Sequence, residues 1–240
     1  MLRSCHPVCR RALDALEDFD ESQNAAIVAA NLISSARFLL KLDSEFTELS
    51  AQFLVDKASP ENESAQGRRK LTVKDCLEIA FKEGIPKLEH WAHLGCIFKP
   101  PGISSFIARV PVKGLEVVEA KKLEEGLALM RQFEQPVGAR LHVFSPQLDR
   151  LGDKEIYDGP AGPGGAETRY VGLRDCIVCD VKKFKGTTVA KAKITYKTKT
   201  SFIYVSLQRM FLAMPKSGEE SQVIEPTHLL VDFCLPRLSK

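Results

Sequence analysis

At 240 residues and 44% hydrophobic content, the chain is long enough to bury a sizeable core, as one large domain or as two packed lobes. Its formal net charge of +3 argues only weakly for an acidic partner. No apolar run of about eighteen residues is present to cross a membrane.

Residues 1–19 mix Cys, His, Arg and acids without an apolar centre, and read as an N-terminal extension rather than a secretory signal. Cytoplasmic or nuclear residence is the expectation. From Asn24 to Ala36, NAAIVAANLISSA carries no charge and no strand alternation, which suits a helix buried on most sides. Asp20, Ser22 and Asn24 offer caps at its start. Ser59 to Lys70 is a polar excursion containing the sequon Asn62-Glu63-Ser64, which matters only in a secreted protein. A second helix follows. Thr72 and Asp75 form a capping-box pattern, Val73, Cys76, Leu77, Ala80 and Phe81 share one face, and Gly84 and Pro86 end it. KPPGISSF is loop, and a third helix is expected from about Glu119 to Phe133, with Leu123, Leu127 and Met130 on one face.

After Pro136 the period changes to two. Val137, Ala139, Leu141 and Val143 alternate with Gly138, Arg140 and His142, the pattern of a half-buried strand. DGPAGPGG, from Asp158 to Gly165, is a turn or loop by composition. Further strands are expected at Tyr170 to Val181, Thr188 to Thr198, Phe202 to Leu207 and His228 to Phe233. Helices first and strands second describe an α+β protein.

The seven cysteines leave one unpaired under any full pairing, so reduced intracellular thiols are the expectation. Cys176 and Cys179 have C-x-x-C spacing inside a β-branched run, and a zinc site needs about four ligands. They read as structural thiols, and Cys5 with Cys9 is an equally thin metal cue. No metal or cofactor is expected.

Four landmarks carry a resemblance to the papain-like cysteine protease family. LKLDSEFTELSAQFLVD resembles the stretch where that family's long helix ends and LSEQELVDC begins. Lys82 to Gly95 resembles its GI…YPY…G passage. LEEGLALMRQFEQPVGARLHVF is similar to its helix-plus-strand unit, with Gln135-Pro136-Val137 intact, and Glu155 to Pro160 is similar to its GIY.GP turn. The resemblance implies a two-lobed fold, with a helical left lobe at residues 20–118 and an antiparallel, β-barrel-like right lobe at 119–240. A protein or peptide would lie in the groove between the lobes.

The same resemblance implies that the catalytic residues are missing. Counted back without gaps, the family's CGSCWAFS slot falls on Gln23 to Ala30, which puts Ala26 at the nucleophile, and a methyl group cannot attack a carbonyl. The oxyanion Gln slot falls on Asp20, whose carboxylate would repel the developing charge. His and Asn should follow the nucleophile by about 130–150 residues. Ile156 to Cys176 holds neither, and the His slot falls loosely on Asp175. Val189 to Phe202 holds nothing like the family's NSWG. His90, His93, His142 and His228 read as surface or lightly packed, and Cys76 as core. A cysteine put at position 26 is expected to label faster than Cys76, as a thiol at a helix N-terminus facing an open groove.

Along KAKITYKTK, Lys191, Lys193, Lys197 and Lys199 share one face, with Lys182, Lys183 and Lys185 nearby. The simplest reading is solvated lysines on a half-exposed strand. Phosphate or nucleic acid is an alternative, disfavoured because only Phe184 and Tyr196 offer rings for stacking. The sequence therefore predicts a catalytically inactive papain-like homologue that binds a protein or peptide, the alternative being a cysteine-type peptidase with a displaced site.

Overall fold

A computed structural model of the chain describes residues 21–58, 70–91, 107–161, 168–197, 199–212 and 226–239. The N-terminal extension, Asp20, Cys5, Cys9, Cys96, His93, the Asn62 sequon and the KPPGISSF loop lie outside the described residues. Two compact units divide the chain: Met1–Val118 with Thr195–Lys199 and Cys234–Lys240, and Glu119–Ile194 with Thr200–Phe233.

The first unit is built on α1, Glu21–Leu39, whose alanines suit a helix and let neighbouring elements approach closely. Glu21 in its first turn and Arg37 in its last complement the helix dipole. Its end is fixed by Lys41, in the left-handed region at φ 59°, and by Arg37, which grips both carboxylate oxygens of Asp43 at 2.9 and 2.7 Å. A short helix, α2 at Ala51–Ala58, was not anticipated. Its signal is Ser50, whose buried hydroxyl accepts from the Phe53 amide at 3.1 Å and donates to the Trp91 carbonyl at 2.6 Å.

The next helix, α3 at Val73–Glu83, forms as its pattern predicts. The Thr72–Asp75 capping box is closed in both directions, and Val73, Cys76, Leu77 and Ala80 are buried. Gly84, at φ 69°, ends it and leads into β1, Ile85–Pro86, which pairs antiparallel with β2, Arg109–Val110. Phe53 is fully buried here, edge-on to Trp91 with centroids 5.2 Å apart, and the Arg109 guanidinium lies 5.1 Å from its ring centre.

The strands are β3, Gly114–Ala120; β4, Val137–Ser145; β5, Ile156–Tyr157; β6, Arg169–Phe184; β7, Thr187–Tyr196; β8, Lys199–Ser206; β9, Met210–Leu212; β10, Pro226–His228; and β11, Leu230–Leu238. Seven of them form one sheet in the order β3-β11-β4-β6-β7-β8-β5, and β9 pairs separately with β10. The helix α4, Leu123–Phe133, starts later than its pattern suggests because the β-branched pair Val117–Val118 keeps the chain extended through Ala120. Gly126 of α4 is required by packing: a Cβ there would lie 2.2 Å from the ring of buried Phe233.

The expected papain-like, barrel-like lobe is corrected by this sheet. The chain is mixed α+β with open sheets, and among the described residues the end strands β3 and β5 do not pair with each other. Closing a barrel needs staggered pairing all round. Here the outer strand β5 is two residues long and runs parallel to β8, so the order ends at an edge.

Candidate functional site

Ala26 sits in the second turn of α1 and is fully buried. Asp175 lies on β6 of the second unit, directly opposite Arg140 with a closest approach of 3.9 Å. Burial changes what a thiol at position 26 would do. Ala26→Cys is now expected to label with iodoacetamide no faster than Cys76, which is equally enclosed, and both more slowly than exposed Cys179. Site-resolved mass spectrometry checks the order, and preferential labelling at position 26 would contradict it.

The remaining described histidines have local partners. His228 Nε2 is 3.7 Å from Glu124, and His90 Nε2 is 3.7 Å from Glu89. His142, on β4, belongs to an aromatic group that sequence reading missed because its members come from three strands. Its Nδ1 lies 2.8 Å from the Tyr170 hydroxyl, and its ring meets Phe211 edge-on at 4.9 Å. Phe144 packs against both Tyr170 and Phe211. Burial, helped by the Arg140 charge, holds the His142 pKa down at about 4, against a weaker opposing pull from Asp232. Burial also raises the Tyr170 phenol, so the imidazole and the phenol are both neutral near pH 7 and share this hydrogen bond.

Unfolded His142 takes a proton near pH 6.5, and folded His142 only near pH 4. Between those values the unfolded chain holds more protons, so stability is highest above pH 6.5 and falls as pH drops towards 4. An NMR titration should place the His142 midpoint near pH 4, and a midpoint at the ordinary histidine value would contradict the burial.

A second constellation lies on β6, β7 and β8. A β-bulge at Cys179 shifts the β6–β7 register, so Asp180 stands opposite Lys191 and Lys182 opposite Val189. Alternation then puts Asp180, Lys182 and Phe184 on one face with Lys191 and Val189, the last fully covered there, while Ala190, Ala192 and Ile194 turn to the opposite, core face. On β8, Phe202 and Tyr204 join that face, while Ile203 and Val205 are buried. Phe184 and Tyr204 stack with centroids 4.4 Å apart. Lys182 Nζ sits 4.8 Å from the Tyr204 ring centre and 3.3 Å from its hydroxyl, and Lys191 Nζ 4.7 Å from the Phe202 ring centre. Sequence reading found the lysines and Phe184 but not Phe202 and Tyr204, which are neighbours across strands and not along the chain.

The expected C-x-x-C pair is split by the same bulge, with Cys176 buried and Cys179 exposed, and neither forms a disulfide. Burial raises the Cys179 pKa, and the nearby charges of Lys191 and Lys193 oppose it. Among the described residues no cluster of three or more His, Cys, Asp or Glu could hold a metal ion. No described helix is long and apolar enough to cross a membrane.

The N-terminal-domain model of the HEAT-INDUCED TAS1 TARGET proteins matches residues 2–66 and 61–113. Protein HEAT-INDUCED TAS1 TARGET 4 of Arabidopsis thaliana is 51% identical over 98% of this chain and 94% of its own length. HEAT-INDUCED TAS1 TARGET 1 and 2 of the same plant are 46% and 48% identical, each over 98% of this chain and over 94% and 92% of their own lengths. Among solved structures, the Carica candamarcensis cysteine protease CMS1MS2 in complex with E-64 has a TM-score of 0.55 at 14% identity, over 90% of this chain and 89% of that one. ProCathepsin B S9 from Trypanosoma congolense has a TM-score of 0.61 at 12% identity, over 100% of this chain and 80% of that one. These two likenesses are of fold alone. The expectations of membership in the papain-like protease family, of an inactive papain homologue and of a displaced cysteine-peptidase site are overturned together, because the strong sequence identity lies with plant proteins of another family. The four landmarks are short, whereas the identity to the other family runs over 98% of the chain.

Proposed function

The chain belongs to the HEAT-INDUCED TAS1 TARGET family, and from that premise we propose that it works as a binding protein, holding a protein partner on the lysine-and-ring face of β6, β7 and β8. The carrying observation is the pairing of Lys182 with Tyr204 and of Lys191 with Phe202, which puts cations and rings side by side at an exposed sheet face. Phe202 is 54% exposed, so its ring adds apolar area to the face beside the cation of Lys191. Rings and cations together supply the anchoring area and the polar orientation that interfaces use.

The relatives are named for heat induction, so heat-treated tissue is where the partner is to be sought. Among the described residues Cys76, Cys176, Cys179 and Cys234 form no disulfide, which fits a reducing compartment, and residence in the cytoplasm or nucleus is part of the proposal; a fluorescent fusion tests it. Lysine acetylation footprinting tests the face. In extract of heat-treated Arabidopsis seedlings, Lys182 and Lys191 should react more slowly than in the purified protein, while Lys121 reacts equally in both. Unchanged reactivity of Lys182 and Lys191 would overturn the reading.

A further inference from the structure

We propose, resting on the binding role just argued, that the occupant of this face is an acidic segment of a protein. The cations call for carboxylates. Lys182 and Lys191 lie over rings, and no carboxylate of the described residues pairs with either ammonium group. A ring face offsets part of an ammonium's charge, and a carboxylate completes it.

The rings argue against nucleic acid. Bases stack on open ring faces. Here Phe184 and Tyr204 cover one another at an interplanar angle of 27°, and the Phe202 ring lies beneath Lys191. Lys182 and Lys185 also lie over the rings of Tyr204 and Phe184, so cations compete with bases for these faces, and the ring edges suit aliphatic or aromatic side chains. Asp180, directly opposite Lys191, would repel a continuous phosphate chain, whereas a peptide can place its carboxylates only where lysines meet them. A net charge of +3 also supplies little of the long-range attraction on which polyanion binding rests.

Spacing narrows the occupant further. Lys191 stands two residues along β7 from Val189, the partner of Lys182, so the two lysines are diagonal neighbours. Such neighbours are about 7–8 Å apart, close to the roughly 6.6–6.8 Å between alternate residues of an extended chain. An acid–x–acid step beside an apolar residue therefore fits the pair of lysines and the edge of Phe202.

The test uses fluorescence anisotropy with three probes: a peptide alternating glutamate with leucine, its glutamine counterpart, and oligothymidylate. The glutamate peptide should bind, and the glutamine peptide and the oligonucleotide should not. Lys182→Glu with Lys191→Glu should weaken the glutamate peptide about tenfold, the size of two lost surface pairs with repulsion added. Phe202→Ala should weaken it about threefold to tenfold. All variants, and a gentler Lys182→Gln with Lys191→Gln pair, should melt as the parent does, since the altered side chains lie on the surface. Oligothymidylate bound in a lysine-dependent way, with the glutamate peptide ignored, would overturn the acidic occupant and leave the face in place. Binding of neither probe, with Lys182 and Lys191 still protected in extract, would do the same. Glutamate-peptide binding that ignores all the substitutions would overturn the face itself.

Discussion

Phe53→Ala is expected to destabilise the first unit by about 3–5 kcal/mol, the usual cost of emptying a fully enclosed aromatic site. The neighbourhood cannot collapse to fill the space. Trp91 on one side is held by its indole N–H donating to Asp56 at 3.0 Å, and Arg109, 5.1 Å from the ring centre, is held by Glu83 at 3.2 Å. The backbone on the other side is fixed by Ser50, the cap of α2. Whole domains are stable by only about 5–15 kcal/mol, so the variant should lose a large part of its margin. Trp91 is the chain's single tryptophan and meets Phe53 edge-on, so urea unfolding followed by its fluorescence reads this site directly. A shift below about 1 kcal/mol would show that the cluster is not a packed core.

Tyr157→Phe is expected to cost the second unit about 1–3 kcal/mol although it removes one oxygen atom. The β4–β6 register shifts between Val143 and Phe144, which takes the Phe144 amide out of the ladder. The Tyr157 hydroxyl repairs this, accepting from the Phe144 amide at 2.8 Å and donating to the His142 carbonyl at 2.9 Å. Tyr157 is 1% exposed, so water cannot replace the lost oxygen without opening the site. Amide exchange at Phe144 should accelerate more than at Leu141, two residues before the bulge. Equal exchange at both would mean that the bulge is held by something other than Tyr157.

Local chemistry was the legible part of the fold. The α3 helix was readable because its cap, its apolar spacing and its terminating glycine all fall within one short stretch, Thr72 to Gly84. The alternation of β4 and β7 was readable for the same reason, and the interruption at Leu229 that separates β10 from β11 was not, because only the change of pairing partner marks it. The α2 helix was missed because eight residues are too few to show a period, leaving Ser50 as its only signal. The closed barrel was inherited from a resemblance, and closure depends on which edges pair, a matter of long-range register that no local pattern records.

The candidate site divides along the same line. The alternation of Lys191 and Lys193 on β7 is a local pattern and was found, but the expected shared face does not continue through Lys197 and Lys199, because β7 ends at Tyr196, Lys197 takes a left-handed φ of 47° and Lys199 opens β8. The rings that make the face a site come from β8, and the bulge at Cys179 that brings Lys182 alongside Lys191 is a one-residue shift with no composition signal. Ala26 shows the converse error: its place in a long helix was legible, but its complete burial depends on neighbours distant in sequence.

Carbodiimide coupling, which joins a lysine to a carboxylate in direct contact, tests the central claim most directly. Applied to the protein in heat-treated extract and read by mass spectrometry, it should link Lys182 and Lys191 to aspartate or glutamate residues of another protein, with loss of those links on Lys182→Gln and Lys191→Gln substitution. Links to other proteins confined to lysines away from this face, such as Lys87 and Lys121, would contradict it.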